Sequence, residues 1–87
     1  MNIKDIGEFG LIARMAPMFL MDLPEGFTGI GDDCAVIPRK EENSLLVTTD
    51  LLIENTHFLI DKIPPEDLGF KSLAVNLSDI AAMGGRP

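Results

Sequence analysis

The 87 residues include no tryptophan, no tyrosine, one cysteine and one histidine, and basic residues are half as numerous as acidic ones. Each scarcity excludes something. The single thiol, Cys34, cannot close an internal disulfide, which fits a reducing compartment. A lone histidine with no second His or Cys beside it makes no zinc-type ligand set. Seven Lys and Arg against 14 Asp and Glu give a formal net charge of −7, the wrong sign for a general binder of phosphate backbones, so no nucleic-acid partner is expected. A phosphorylated small molecule stays open, provided a divalent cation sits between it and the carboxylates. No run approaches the ~20 apolar residues that span a bilayer. The first residues, Met1-Asn-Ile-Lys-Asp-Ile-Gly-Glu8, lack the apolar core of a signal peptide. The expected location is therefore cytoplasmic, with no membrane partner. Also missing are an internal repeat, a low-complexity tract, a Gly-x₄-Gly-Lys-Ser/Thr phosphate loop and a Gly-x-Gly-x-x-Gly fingerprint.

What is present is apolar enough to fold. Hydrophobic residues make up 46% of the chain, too many for an acidic disordered tail. Over residues 5–20, Ile6, Phe9, Ile12, Ala13, Ala16 and Leu20 recur at spacings of three and four, which predicts an amphipathic helix. Pro17 is expected to end or kink it. Residues 21–28 form a connector punctuated by Pro24 and Gly26. Gly29-Ile-Gly-Asp-Asp-Cys-Ala-Val-Ile-Pro38 starts as a glycine-rich turn and becomes a short buried strand. The polar run 39–44 reads as a hairpin loop, and residues 45–53, rich in Val, Ile and Thr, as an antiparallel second strand. Its nearly continuous apolar character predicts cover on both faces. Pro64-Pro-Glu-Asp67 is a helix start, since proline suits a first turn and acids there complement the positive end of the dipole. That helix should run from about Pro65 to Met83, with Phe70, Leu73, Ala74, Leu77, Ile80 and Ala81 as its stripe, and stop at Gly84-Gly85. Helix, strand, strand, helix is an incomplete sheet. A chain this small also needs help to be stable, from oligomerisation or further sequence.

The carboxylates carry the chemical information. Asp32 and Asp33 stand side by side at the head of the first strand, where like charges want a cation, although a solvated turn pair is the plain alternative. Asp50 interrupts an apolar run, and strand alternation puts Thr48 on its face and Thr49 on the other. With the Thr49 carbonyl this is a hard-oxygen set of the kind Mg²⁺ accepts; an edge strand with Asp50 facing water is the alternative. Asp79 sits in the last turns of its helix, where the negative end of the dipole disfavours an acid by ~0.3–1 kcal/mol. It shares a face with Ser72, Asn76 and Met83, and a metal would reverse that penalty; the alternative is a solvated face. His57 suits a proton role, a phosphate contact or a structural one. Cys34 reads as a small buried hydrophobe, and Met15, Met18 and Met21 as packing.

Taken together, Gly7-Glu-Phe9, Gly29-Ile-Gly-Asp-Asp-Cys-Ala35, Thr48-Thr-Asp50, Asn55-Thr-His-Phe58 and the run from Leu68 to Gly84 resemble the N-terminal part of the bacterial thiamine-monophosphate kinase family. The Asp-Asp-x-Ala and Ser-Asp-x-x-Ala-Met-Gly elements are shared with a wider superfamily that includes aminoimidazole ribonucleotide synthetase, selenophosphate synthetase and a hydrogenase maturation factor. The His-Phe pair narrows the choice. The resemblance implies an α+β fold, the N-terminal part of an aminoimidazole ribonucleotide synthetase-like ATP-binding domain. Residues 1–87 would be a partial ATP/Mg-binding and dimerisation domain, with the C-terminal domain absent. It implies ATP-dependent phosphoryl transfer to thiamine monophosphate, giving thiamine diphosphate by direct in-line transfer with Mg²⁺. By position, Asp33, Thr48, Thr49, Asp50 and Asp79 resemble the metal ligands, His57 a contact to thiamine monophosphate, and Asp32 a supporting residue behind them. No residue is expected to act as a general base, because the acceptor phosphate is already anionic. A homodimer paired through this domain is expected, and the 87 residues alone are expected to be inactive. Two other readings stay open: another ATP-dependent enzyme of the superfamily, and a non-catalytic dimerisation or metal-binding module.

Overall fold

The computed structural model describes residues 2–40 and 42–87. Its elements are α1 (Ile3–Leu20), β1 (Ala35–Pro38), β2 (Ser44–Val47) and α2 (Pro65–Ala82). This is the α+β order of helix, strand, strand, helix read from the sequence.

Asn2 caps α1 through a reciprocal pair: its side chain accepts from the Asp5 N–H, while the Asp5 carboxylate accepts from the Asn2 N–H at 3.0 Å. That arrangement satisfies two of the donors a helix start leaves open. The break in α1 lies at Gly7 (φ 71°, ψ 178°), not at Pro17. Glycine reaches that conformation without a Cβ penalty. Pro17 lacks an N–H for the helix ladder, but it lies near the end of the helix and α1 continues past it to Leu20.

β1 and β2 form an antiparallel ribbon in the register Ala35↔Val47, Val36↔Leu46, Ile37↔Leu45 and Pro38↔Ser44. The Arg39 N–H donates to the Asn43 carbonyl at 3.0 Å to close the turn; Glu41 of the expected loop lies outside the described residues. On the far side of β1, Thr28 and Val36 exchange both N–H···O bonds at 3.0 Å. β2 is shorter than the sequence run implies. It ends at Val47, because β1 offers four residues to pair with and residues 31–34 turn away from the ladder. Thr48, Thr49 and Asp50 therefore follow the strand instead of alternating along it. Nor are the strands covered: Leu45 is 45% exposed and Val47 46% exposed.

α2 has the expected punctuation. Pro64 precedes Pro65 at the first turn, with Glu66 and Asp67 beside the N-terminus. At the other end Gly84 adopts φ 71°; its N–H donates to Ala81 O and that of Gly85 to Ile80 O, both at 2.9 Å. These bonds absorb carbonyls the helix leaves open. A Cβ at Gly85 would collide with the Leu46 side chain and crowd Ile80. Glycine there leaves room for the Leu46 side chain against the turn that ends α2.

Among the described residues the one buried hydrophobic side chain is Cys34, and no helix residue is buried. Phe9 (83% exposed) and Phe70 (77% exposed) stand open. The radius of gyration, 16.3 Å, exceeds the roughly 12 Å of a compact domain of this length. No described helix is long and apolar enough to cross a membrane.

Candidate functional site

Gly85 against β2 brings the last turns of α2 to the head of β1, and this is where the predicted residues meet. Cys34, 3% exposed, donates its thiol to the main-chain oxygen of Asp79 at 3.3 Å. Thr48 Oγ1 lies 3.3 Å from the Asp33 main-chain oxygen and 3.4 Å from Asp79 Oδ2. A hydroxyl has one proton, so Thr48 can donate to only one of these oxygens at a time. Two segments distant in sequence thus present oxygen atoms to one hydroxyl on a third.

The other candidates lie outside that junction. The Asp32 carboxylate folds onto its own turn and accepts from the Asp33 N–H at 2.9 Å. Gly31, at φ 124°, lets the chain make that turn. Asp50 likewise caps the Leu51 N–H at 2.8 Å. The Asp33, Thr49 and Asp50 side chains are exposed. Among the described residues no three His, Cys, Asp or Glu side chains gather as round a metal ion. The donor type nevertheless fits Mg²⁺: Asp79 Oδ2, Thr48 Oγ1 and the Asp33 carbonyl are all hard oxygens, and Mg²⁺ typically binds one or two carboxylates and completes its shell with water and substrate phosphate.

His57 occupies a separate turn. The Ile53 carbonyl accepts from the Thr56 and His57 N–H groups at 3.1 and 2.8 Å, and the Asn55 N–H donates to Phe58 O at 2.7 Å. Asn55 is at φ 66°, a conformation Asn tolerates better than most residues. The Ile53 N–H donates to His57 Nδ1 at 2.9 Å. With Nδ1 accepting, the neutral ring carries its proton on Nε2, on an exposed side chain. Residues 55–59 line a depression of about 280 Å³.

Three features are not visible in the sequence pattern. Lys71 Nζ donates to the His57 carbonyl, pinning the turn to α2; no local pattern signals a contact fourteen residues away. Asn76 Nδ2 donates to Ser72 O at 2.8 Å, while Asn76 Oδ1 is buried with no hydrogen-bond partner among the described residues. Such an atom costs roughly 1–3 kcal/mol. Helical spacing puts Asn76 on the Asp79 face, but it does not mark the amide as an oxygen donor. Composition makes Cys34 a buried hydrophobe, and it is also the clasp between β1 and α2.

Burial pushes the Cys34 thiol above its ordinary range; the Thr48 hydrogen bond opposes the rise, and the Asp79, Asp33 and Asp32 carboxylates add to it. Because the folded thiol ionises later than the unfolded one, its contribution to stability is intact below the unfolded value of ~8.5 and is lost as pH rises beyond it. Urea melts should show wild type losing stability from pH 7.5 to 9.5 relative to Cys34→Ala. Dithionitrobenzoate should label Cys34 slowly until denaturant is added. Fast native labelling would contradict the burial.

Residues 31–87 match the family described as AIR synthase related protein, N-terminal domain, and the chain belongs to that family. Within it, the chain is similar to proteins named thiamine-monophosphate kinase. It is 51% identical to that of Salmonella typhimurium over 81 residues, covering 93% of this chain and 25% of the relative. It is 48% identical to that of Haemophilus influenzae over 82 residues, covering 94% and 25%. Against that of Bacillus subtilis the identity is 44% over 80 residues, covering 92% and 24%. The chain thus spans about a quarter of the length of these curated relatives. No solved structure matches it significantly.

Proposed function

We propose that this chain forms the N-terminal, cation- and ATP-binding part of an enzyme that phosphorylates thiamine monophosphate. The observation that carries the reading is the junction where Thr48 Oγ1 meets both the Asp33 carbonyl and Asp79 Oδ2. It gathers hard oxygens from three segments in a chain similar to kinases of that name. The γ-phosphoryl group of ATP passes to a phosphate oxygen of thiamine monophosphate: the bond from Pγ to the bridging oxygen of ADP breaks, and an oxygen–Pγ bond forms to give thiamine diphosphate. Bound Mg²⁺ supplies charge neutralisation on the polyphosphate.

The rest is positioning by this chain's own residues. Asp79 and Thr48, with the Asp33 carbonyl, would hold the cation; the exposed Asp33, Thr49 and Asp50 side chains, outside that junction, would serve as further oxygen donors, with Asp32 bracing the Asp33 turn. Cys34 fixes β1 against α2. His57 offers Nε2–H to the acceptor phosphate. No general base is required. The exposed stripes of α1 and α2 are surfaces for a second copy or for further chain of the same enzyme, and a homodimer paired through this segment is the reading we favour. The cytoplasm, where ATP and Mg²⁺ are available, is the setting that fits.

A graft tests the reading. These residues replace the matching quarter of the Salmonella typhimurium relative, and ³¹P NMR follows ATP, Mg²⁺ and thiamine monophosphate. A new diphosphate signal, abolished by EDTA, is expected from the graft; the 87 residues alone are expected to give none. ADP formation without thiamine diphosphate would keep the nucleotide chemistry and discard the substrate. A folded graft without turnover would favour a binding module.

A further inference from the structure

The buried oxygen of Asn76 is unexplained by the packing around it. Among the described residues, it is a buried side-chain polar atom that no donor meets. Its orientation is settled by chemistry: Nδ2 donates to the Ser72 carbonyl at 2.8 Å, and the reversed amide would set two acceptors against each other. Asn76 lies one turn before Asp79 on the same face of α2, a spacing that makes side chains neighbours on a helix. Asp79 Oδ2 is in turn within reach of Thr48 Oγ1 at 3.4 Å. A buried amide oxygen on the same helix face as that carboxylate has a use if a hydrogen-bond donor comes next to it. A divalent cation such as Mg²⁺ keeps several of its waters, and those waters are strong donors.

Resting on the cation reading above, we propose that Asn76 Oδ1 is a positioning residue for the Asp79–Thr48 site, accepting a hydrogen bond from a water on the bound cation. It acts on the cation through that water, and the cost of the unmet acceptor is relieved when the cation binds. Partners at this remove from a metal ordinarily set its affinity by 10–100-fold.

The test is a titration of the chain with Mn²⁺ as the probe, read by electron paramagnetic resonance of the free ion, with thermal melts at zero and saturating Mn²⁺. Asn76→Leu keeps the branched outline of the side chain and removes the oxygen, together with the amide donor to Ser72 O. It should weaken Mn²⁺ binding about tenfold and shrink the melting shift that Mn²⁺ produces. Asn76→Asp restores an oxygen at the same place and should recover Mn²⁺ affinity, while losing the bond to Ser72 O and melting earlier without metal. A purely structural Asn76 predicts a different pattern, in which both variants melt earlier and neither changes Mn²⁺ affinity; that pattern overturns the proposal. Asp79→Asn in the same titration separates the two levels. If it weakens Mn²⁺ binding and Asn76→Leu does not, only the role of Asn76 fails. If neither Asp79→Asn nor Asn76→Leu changes binding, or wild type binds no Mn²⁺, the cation reading falls and takes this inference with it. Should the chain carrying Asn76→Leu fail to fold, the Mg²⁺ activation constants of the grafted enzyme carrying Asn76→Leu and Asn76→Asp decide: about tenfold weaker with Leu and recovered with Asp supports the proposal, and unchanged in both overturns it.

Discussion

Asp79→Asn is expected to lower phosphoryl transfer by the grafted enzyme about a thousandfold while leaving the protein slightly more stable. The two effects have opposite signs for separate physical reasons. Asparagine keeps the shape of the side chain, and its Oδ1 can still accept from Thr48 Oγ1, now 3.4 Å from Asp79 Oδ2. The clasp from Cys34 goes to the main-chain oxygen of residue 79 and is untouched. What disappears is a negative charge. In the last turns of α2 that charge opposes the helix dipole at a cost of ~0.3–1 kcal/mol, so its loss should raise the melting temperature by a few degrees in a chain of this size. The same charge is what holds a divalent cation against a polyphosphate. Losing several kcal/mol of charge stabilisation, at ~1.36 kcal/mol per tenfold, gives the expected drop in rate. Thermal melts and the ³¹P NMR assay on one preparation check both halves. A variant that melts earlier and keeps its rate would make Asp79 a structural residue.

That opposition of signs is also what makes Asp79 legible in the sequence alone. An acid at the wrong end of a helix breaks a local rule, and rules of one helical turn are visible in sequence. α2 is legible for the same reason: Pro64-Pro65 and Gly84-Gly85 punctuate it, and the observed Pro65–Ala82 falls within one residue of the expectation. Legibility fails where length or contact is decided elsewhere. The apolar run from Leu45 to Ile53 looks like nine residues of strand, but β1 offers only four partners, pairing Ser44–Val47. Pro17 is the more conspicuous breaker in α1, yet Gly7 is where the backbone leaves the helical region. The junction itself depends on Cys34 meeting Asp79, 45 residues apart, and on Gly85 being small enough for α2 to approach Leu46. No periodicity reports such a contact. The open faces of Phe9, Leu45 and Phe70 mark the limit of what a chain of this length can cover by itself.

His57→Asn is expected to raise the KM for thiamine monophosphate between ten- and a hundredfold while kcat and the KM for ATP change little. The ring does two jobs through two nitrogens. Nδ1 accepts from the Ile53 N–H at 2.9 Å and closes the turn; Nε2 carries the proton offered outward. Asparagine can place its Oδ1 where Nδ1 stood, so the turn, also held by Lys71 on the His57 carbonyl, should persist. It cannot reach as far as Nε2. The loss is then one hydrogen bond to a charged phosphate, about 1.5–3 kcal/mol, which is the stated change in affinity at about 1.4 kcal/mol per tenfold. An interaction made equally in ground and transition states moves KM and spares kcat. His57→Gln supplies the complementary loss, since its amide extends to the Nε2 position but leaves the Ile53 N–H unmet. Steady-state kinetics on the grafted enzyme should therefore find Gln closer to wild type in KM and Asn closer in thermal stability. A shift in the KM for ATP with either variant, or a fall in kcat at saturating thiamine monophosphate, would detach His57 from the acceptor phosphate and leave it a structural element of its turn.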